Sequence, residues 1–200
     1  MMLIWVVGRR GHTRCVMTSI TVRLRAGADL ERCAELARAV HDADGYPRYL
    51  PGDLRSFIAS PDAIAAWVAE RDGAIVGHAA LHRRSSQPVM QAACAALGVP
   101  ADRLAVVARL LVSPHARRAG AGRALLQAAC GEAGARGLWP ILDADVDLTA
   151  AARLYENCGW TRAAQVTVRF NDGMSLQEYV YLAPRRPGIG QPAQGPPSRP

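Results

Sequence analysis

Two periods of hydrophobicity run along this chain, and the switches between them mark its elements. Ile20–Arg25 alternates apolar and polar positions as a half-buried strand does. Asp29 follows as a helix cap with Glu31 in the first turn, and Leu30, Cys33, Ala37 and Val40 form an apolar stripe reaching about His41. Residues 42–52, which hold two Tyr and two Pro, read as a loop long enough to cover a site, and Asp53 through Ile58 as a short helix. Ala66–Glu70 and Ala74–Leu81 flank Asp72-Gly73, the dipeptide that suits a primed two-residue turn, and so predict a hairpin. Residues 88–98 predict a helix, Leu104–Val112 a strand, Gly122 to about Arg136 a helix, Pro140–Val146 a strand and Thr149–Cys158 a helix. Val166–Phe170 and Leu176–Leu182 predict a second hairpin turning on Asn171-Asp172-Gly173.

The strand, helix, strand passage over 104–146 calls for two parallel strands joined by a right-handed crossover, whereas both hairpins are antiparallel. The expected fold is therefore α/β, with a mixed, largely antiparallel sheet of about six to seven strands and helices on both faces. It is not a doubly wound nucleotide fold.

Composition narrows the function. Of the 200 residues 50% are apolar and 20% charged, with mean hydropathy +0.01, which suits one buried core and excludes a disordered chain. All 24 basic residues are Arg. A Walker A loop and a Schiff-base mechanism both need a lysine and are excluded. The formal charge of +7 belongs to the ends: Arg9, Arg10, Arg14, Arg185, Arg186 and Arg199 lie in stretches without an acid. Setting those six aside leaves 18 basic against 17 acidic residues, so the body is nearly neutral and few aromatics interleave it. That speaks against a nucleic-acid partner. The five cysteines are odd in number and show no paired C-x-x-C spacing, which supports neither a disulfide framework nor a metal cluster and points to a reduced, cytoplasmic setting. MMLIWVV is too short to span a bilayer, and its basic residues follow the apolar run, the reverse of a secretory signal, so no membrane is expected. Residues 1–17 read as an N-terminal extension with the native start expected near Met17. Residues 18–183 read as one domain and 184–200 as a Pro/Gly-rich tail expected to be disordered.

One segment concentrates chemistry. Between Leu110-Leu111-Val112 and the helix that follows run Arg117, Arg118, Ala119, Gly120, Ala121, Gly122 and Arg123. No Ser, Thr, Asp or Asn stands there to cap the first helix amides, the two glycines let backbone approach a ligand, and three arginines flank the spot. An uncapped, glycine-opened helix start among arginines suits a phosphate or pyrophosphate. An ordinary loop with hydrated amides is the alternative. The dinucleotide fingerprint fails, since its third glycine position is Leu125.

R-R-A-G-A-G at 117–122 resembles the Q/R-x-x-G-x-G/A motif of the GNAT superfamily of N-acetyltransferases, where it binds the coenzyme A pyrophosphate directly after the fourth strand. Ala151-Ala-Arg-Leu-Tyr155-Glu-Asn-Cys-Gly159-Trp160 resembles that family's A-x-x-L-Y-x-x-x-G-F segment, with Trp for Phe. The resemblance covers roughly residues 18–183. It implies a sheet splayed between two central parallel strands to hold coenzyme A, with acetyl-CoA as acyl donor and direct transfer to an amine in a ternary complex. Leu110, Leu111 and Val112 then end the cofactor-facing strand, Leu110 and Val112 offering backbone groups to the pantetheine arm. A homodimer is also implied.

Ala151, Leu154, Tyr155 and Cys158 share one helical face, so Tyr155 is buried, either as a core tyrosine or, by the resemblance, as the proton donor to the departing thiolate. A phenol suits that task because it stays protonated at neutral pH. Two departures stand out. Leu104–Val112 carries no Glu or Asp, where relatives often place the general base, and Leu148 replaces an Asn that often contacts the cofactor. Glu70, Asp143 and Asp145 are the substitute candidates; Asp143 and Asp145 share a strand face and would also attract a cationic amine. His78 and His82 share a face at i, i+4 but show no third ligand, so no metal is expected. The expected function is acetyl transfer from acetyl-CoA to an unidentified amine, of a small molecule or a protein. The alternative is a non-catalytic acyl-CoA-binding regulatory domain. The loops over 42–60 and 83–103 are expected to set the acceptor.

Overall fold

The computed structural model describes residues 4–7, 13–16, 19–170 and 173–184; Met17, the Asn171-Asp172 dipeptide on which the second hairpin was expected to turn, and the residues after Pro184 lie outside them. In chain order the elements are β1 (Ile4–Val7), β2 (Thr13–Val16), β3 (Thr21–Leu24), α1 (Leu30–Asp44), α2 (Leu54–Ile58), β4 (Ala63–Arg71), β5 (Ala74–His82), α3 (Gln87–Leu97), β6 (Leu104–Val112), α4 (Ala121–Ala135), β7 (Trp139–Asp145), α5 (Thr149–Asn157), β8 (Thr161–Arg169) and β9 (Ser175–Leu182). From β3 onward this is the order read from the sequence. β1 and β2 pair antiparallel as a separate two-stranded sheet, from Ile4 opposite Val16 to Val7 opposite Thr13, an element that the sequence reading did not contain. The other strands form a seven-stranded mixed sheet in the order β3-β4-β5-β6-β7-β9-β8, an α/β fold.

The chain divides into two compact units, one holding residues up to His82 with Val107–Ala129 and the other Arg83–Val106 with Cys130 onward. Strand β6 runs through both. In the first unit α1 and α2 bury Cys33, Leu36, Ala37, Val40, Leu54 and Ile58 against Val68 of β4 and Leu111 of β6. Each such Leu or Ile contributes about 1.5–3 kcal/mol by leaving water. Asp72 (φ 54°) and Gly73 (φ 78°) are both left-handed, as the primed turn between β4 and β5 requires. In the second unit Val89 and Ala93 of α3 pack on Leu104, Val106, Trp139, Ile141, Val168 and Val180. There β6 and β7 pair in parallel over three residues of each, Leu104–Val106 with Trp139–Ile141.

Three local readings are corrected. Helix α1 continues past His41 to Asp44, where Gly45 (φ 70°) closes it with an N–H bond to the His41 carbonyl at 2.7 Å. Asp29 precedes α1, but its carboxylate does not cap that helix. It accepts from the Ala26 N–H (2.7 Å) and from Arg23 (2.7 and 2.9 Å), closing a 3-10 turn over Gly27–Asp29, and Arg23 holds its carboxyl down at about 2. Strand β8 begins at Thr161, five residues before the predicted start. Thr161-Arg-Ala-Ala lacks alternation, and its pairing with β9, irregular between Arg162 and Ala164, imposes the extended form.

Gly77 of β5 sits where no side chain fits: a Cβ there would stand 2.9 Å from Leu125 Cδ1, 3.2 Å from Ala69 Cβ and 3.2 Å from the Leu111 carbonyl oxygen. Leu125 can rotate away, but the other two are fixed. Gly77→Ala is expected to destabilise the protein by about 1–3 kcal/mol. The thermal midpoint should fall by about 2–4 °C for each kcal/mol, read by calorimetry.

Candidate active site

The glycine-opened loop lies in the first unit. The Ala124 N–H bonds back to the Gly120 carbonyl at 3.0 Å, so α4 starts at Ala121 with the amides of Ala121, Gly122 and Arg123 directed out of the helix start. Gly120 (φ 91°) and Arg118 (φ 62°) are both left-handed, and Arg117 through Gly120 are exposed. A fifteen-residue helix adds its positive dipole end at this point. An oxyanion therefore meets outward amides, open space and cationic side chains. Arg117 departs from the simplest reading: its guanidinium pairs with Asp44 at the end of α1. That contact ties the loop to α1. Upstream, Leu111 is fully buried in the core while Leu110 and Val112 are half-buried, and the Ser113 N–H bonds to the Val76 carbonyl at 2.8 Å.

The proposed acids and bases fall differently from one another. Glu70 Oε1 accepts from Arg23 Nη2 at 2.7 Å, so its carboxylate belongs to the Arg23–Asp29 network. Asp145 Oδ1 accepts the Asp147 N–H at 3.0 Å in the turn after β7. Asp143 lies one strand repeat earlier and accepts from Ser85 Oγ at 3.0 Å. Its second partner is Glu178 of β9, with which it shares a side-chain hydrogen bond. In the β7–β9 register Asp145 stands opposite Glu178 and Asp143 opposite Val180. Burial pushes the Asp143 carboxyl up, against the Ser85 hydrogen bond. Burial first, then the charges of Asp143 and Asp145, push Glu178 up to about 8. Both carboxyls are thus held above the usual carboxylate range, Glu178 far enough to keep its proton at neutral pH. The sequence reading did not include Glu178. The available signal was a lone acid on the strand face that Leu176, Val180 and Leu182 otherwise fill.

Tyr155 is buried on α5, its ring centroid 5.4 Å from that of Tyr181 and 6.5 Å from that of Trp160. Leu148 precedes α5 without a side-chain cap. His78 and His82 are both buried, and burial lowers each to about 4, so both are neutral at physiological pH. Among the described residues no group of three His, Cys, Asp or Glu is placed to hold a metal, and no helix is long and apolar enough to cross a membrane.

The profile of the family described as "Acetyltransferase (GNAT) family" matches residues 30–160. Among solved structures, the chain is similar to the ribosomal-protein-S18-alanine N-acetyltransferase from Escherichia coli at 18% identity and TM-score 0.60, over 88% of this chain and 97% of that one. It is similar at 20% identity and TM-score 0.62 to yncA from Salmonella typhimurium, solved with its cofactor acetyl-CoA, over 88% of this chain and 100% of that one. A ribosomal-protein-alanine N-acetyltransferase from Brucella melitensis shares 22% identity and TM-score 0.60 over 81% and 98%. At these identities the likeness is one of fold. A comparison with curated proteins gives no match.

The Asp143–Glu178 pair generates a pH prediction. Glu178 holds its proton to about pH 8 when folded and releases it in the usual carboxylate range when unfolded. The contribution of Glu178 to stability therefore falls as pH rises between about pH 5 and 8, and above about pH 6.5 it is no longer opposed by the buried neutral His78 and His82, whose contribution rises up to that point. Glu178→Gln keeps a hydrogen bond to Asp143 and removes the titration. It should flatten the decline of the thermal midpoint between about pH 6.5 and 8, and an unchanged slope would show that Glu178 is not held protonated there.

Proposed function

The chain belongs to the GNAT family of acetyltransferases, and we propose that it moves an acetyl group from acetyl-CoA directly to an amine acceptor. The observation that carries this reading is the glycine-opened start of α4 after β6, within the span matched by the family. In this role Arg118, Arg123 and the amides of Ala121 and Gly122 hold the pyrophosphate. Arg117 orders the loop through Asp44 while its remaining donors face the anion, and the ends of Leu110, Leu111 and Val112 guide the pantetheine arm.

In the transfer, the acceptor nitrogen forms a bond to the thioester carbonyl carbon as the carbon–sulfur bond breaks. The thiolate takes a proton from Tyr155, and the proton leaving the amine goes to the Asp143–Glu178 pair. The pair takes that proton in the form that has lost its own, which forms toward pH 8, and it is then a stronger base than an ordinary carboxylate, which is too weak for an ammonium. Holding both reactants in one complex supplies the rest of the acceleration. β6 carries no carboxylate, and that observation alone favours the second reading, an acyl-CoA-binding regulatory domain without transfer.

Two measurements test the proposal. Saturating acetyl-CoA should raise the thermal midpoint by mass action, and the rise should be lost in the Arg118→Glu/Arg123→Glu double variant. No rise in the wild type would sink the cofactor assignment. Tyr155→Phe should lower kcat by about a hundredfold or more while keeping the acetyl-CoA shift. Unchanged turnover would remove Tyr155 from the mechanism, and binding without transfer to any amine would favour the regulatory reading.

A further inference from the structure

Within the first unit, positive charge gathers where the core gives it no counter-ion. Arg25 follows β3 and Arg109 lies on β6, with His78 and His82 of β5 beside them; the two guanidinium charges oppose each other and help burial keep both imidazoles neutral. Arg25 Nη1 donates to the Ile58 carbonyl at 2.6 Å and faces His78 Nε2 at 3.5 Å. The Arg109 guanidinium lies over the Phe57 ring, 4.0 Å from its centroid. Neither arginine forms a salt bridge among the described residues. Asp62 is near enough for its charge to act on Arg109 and His82, but it is one charge against two guanidiniums.

Three observations show that this cluster is not a settled piece of core. Arg109 holds φ 52° within a strand, a left-handed backbone that a non-glycine residue adopts at a cost. Its Nε is buried without a hydrogen-bond partner. His82 is 5% exposed, and its Nε2 is likewise buried without a partner. An arginine Nε is always a donor, and leaving it unmet in the interior is unfavourable unless something arrives to accept. Stacking on Phe57 occupies the guanidinium face and leaves its edge donors free for an acceptor lying in the guanidinium plane, as a carboxylate does.

We propose that Arg25, His82 and Arg109 form an acceptor-side oxyanion site, and that the amine this chain acetylates carries a carboxylate, as an α-amino acid does. The inference rests on the transferase reading for its word "acceptor" and on the cluster alone for its anion.

The test pairs α-amino acids with their uncharged amides as acceptors for the full chain, in the wild type and in Arg109→Gln. The acids should show KM values about tenfold or more below those of the amides. That ratio should fall toward one in Arg109→Gln, while the acetyl-CoA midpoint shift persists and shows that the variant folds. Amides used as well as acids, or a ratio that survives Arg109→Gln, would overturn the site. The N-acetylated acids and amides are then titrated calorimetrically into the chain without acetyl-CoA. Arg109-dependent binding of the acids in a chain that transfers nothing would keep the anion site and sink the transferase reading. Absence of such binding beside an intact acetyl-CoA shift would sink the anion site alone.

Discussion

Strand β6 turns its backbone over at Arg109, and the turned carbonyl has to find a partner away from the strand ladder. It finds His78, whose Nδ1 stands 3.1 Å away. Since a carbonyl only accepts, Nδ1 carries the proton. Burial keeps the ring neutral, so Nε2 presents a lone pair, and Arg25 is the donor facing it. One buried hydrogen bond thus settles a tautomer, and the tautomer settles which way the Arg25 guanidinium is held. With Arg25 also fixed on the Ile58 carbonyl and Arg109 stacked on Phe57, two cations are held rigidly without spending their charge on a protein carboxylate.

The second unit solves a different electrostatic problem. Asp143, Asp145 and Glu178 crowd the paired strands β7 and β9, and three ionised carboxylates there would repel one another. Keeping Glu178 protonated removes one charge, and Ser85 donates to Asp143. Glu178 is held protonated up to about pH 8, whereas Glu70, with its carboxylate engaged by Arg23, holds β3 against β4.

Local rules explain which parts of this were legible in the sequence. The hairpin at Asp72-Gly73, the short helix capped by Asp53 and the helix over 149–157 follow from turn chemistry, a cap hydrogen bond from Ser56 N–H (3.0 Å) and a 3.6-residue stripe. Each signal lies within a dozen residues of what it specifies. The loop at 117–123 was legible for the same reason. Glu178 was not, since its partner is 35 positions away and only the β7–β9 register brings them together. Arg109 was not either. Nothing in Leu104–Val112 marks its fourth-from-last residue as left-handed, and the histidine that meets its turned carbonyl lies 31 positions away on the adjacent hairpin. Likewise Asp44 sits beyond the expected end of α1, and its pairing with Arg117 depends on three more residues of helix.

A strand selected for stability alone would place glycine at φ 52° and an apolar residue where Arg109 lies. Those two replacements would relieve strain of order 1–3 kcal/mol and an unmet donor worth about the same. The chain instead keeps a long cationic side chain there and stacks it on an aromatic ring that limits its motion, with a second unmet nitrogen on His82. The register shifts of β4–β5 and β8–β9 leave no such buried cation behind, and it is the coincidence of strain, burial and unmet donors at one place that favours recognition over stability as its reason. The same logic separates this cluster from the Arg23–Asp29–Glu70 network, which also joins β3 to its neighbours. There every charge is answered within the protein, and nothing remains for a ligand to satisfy.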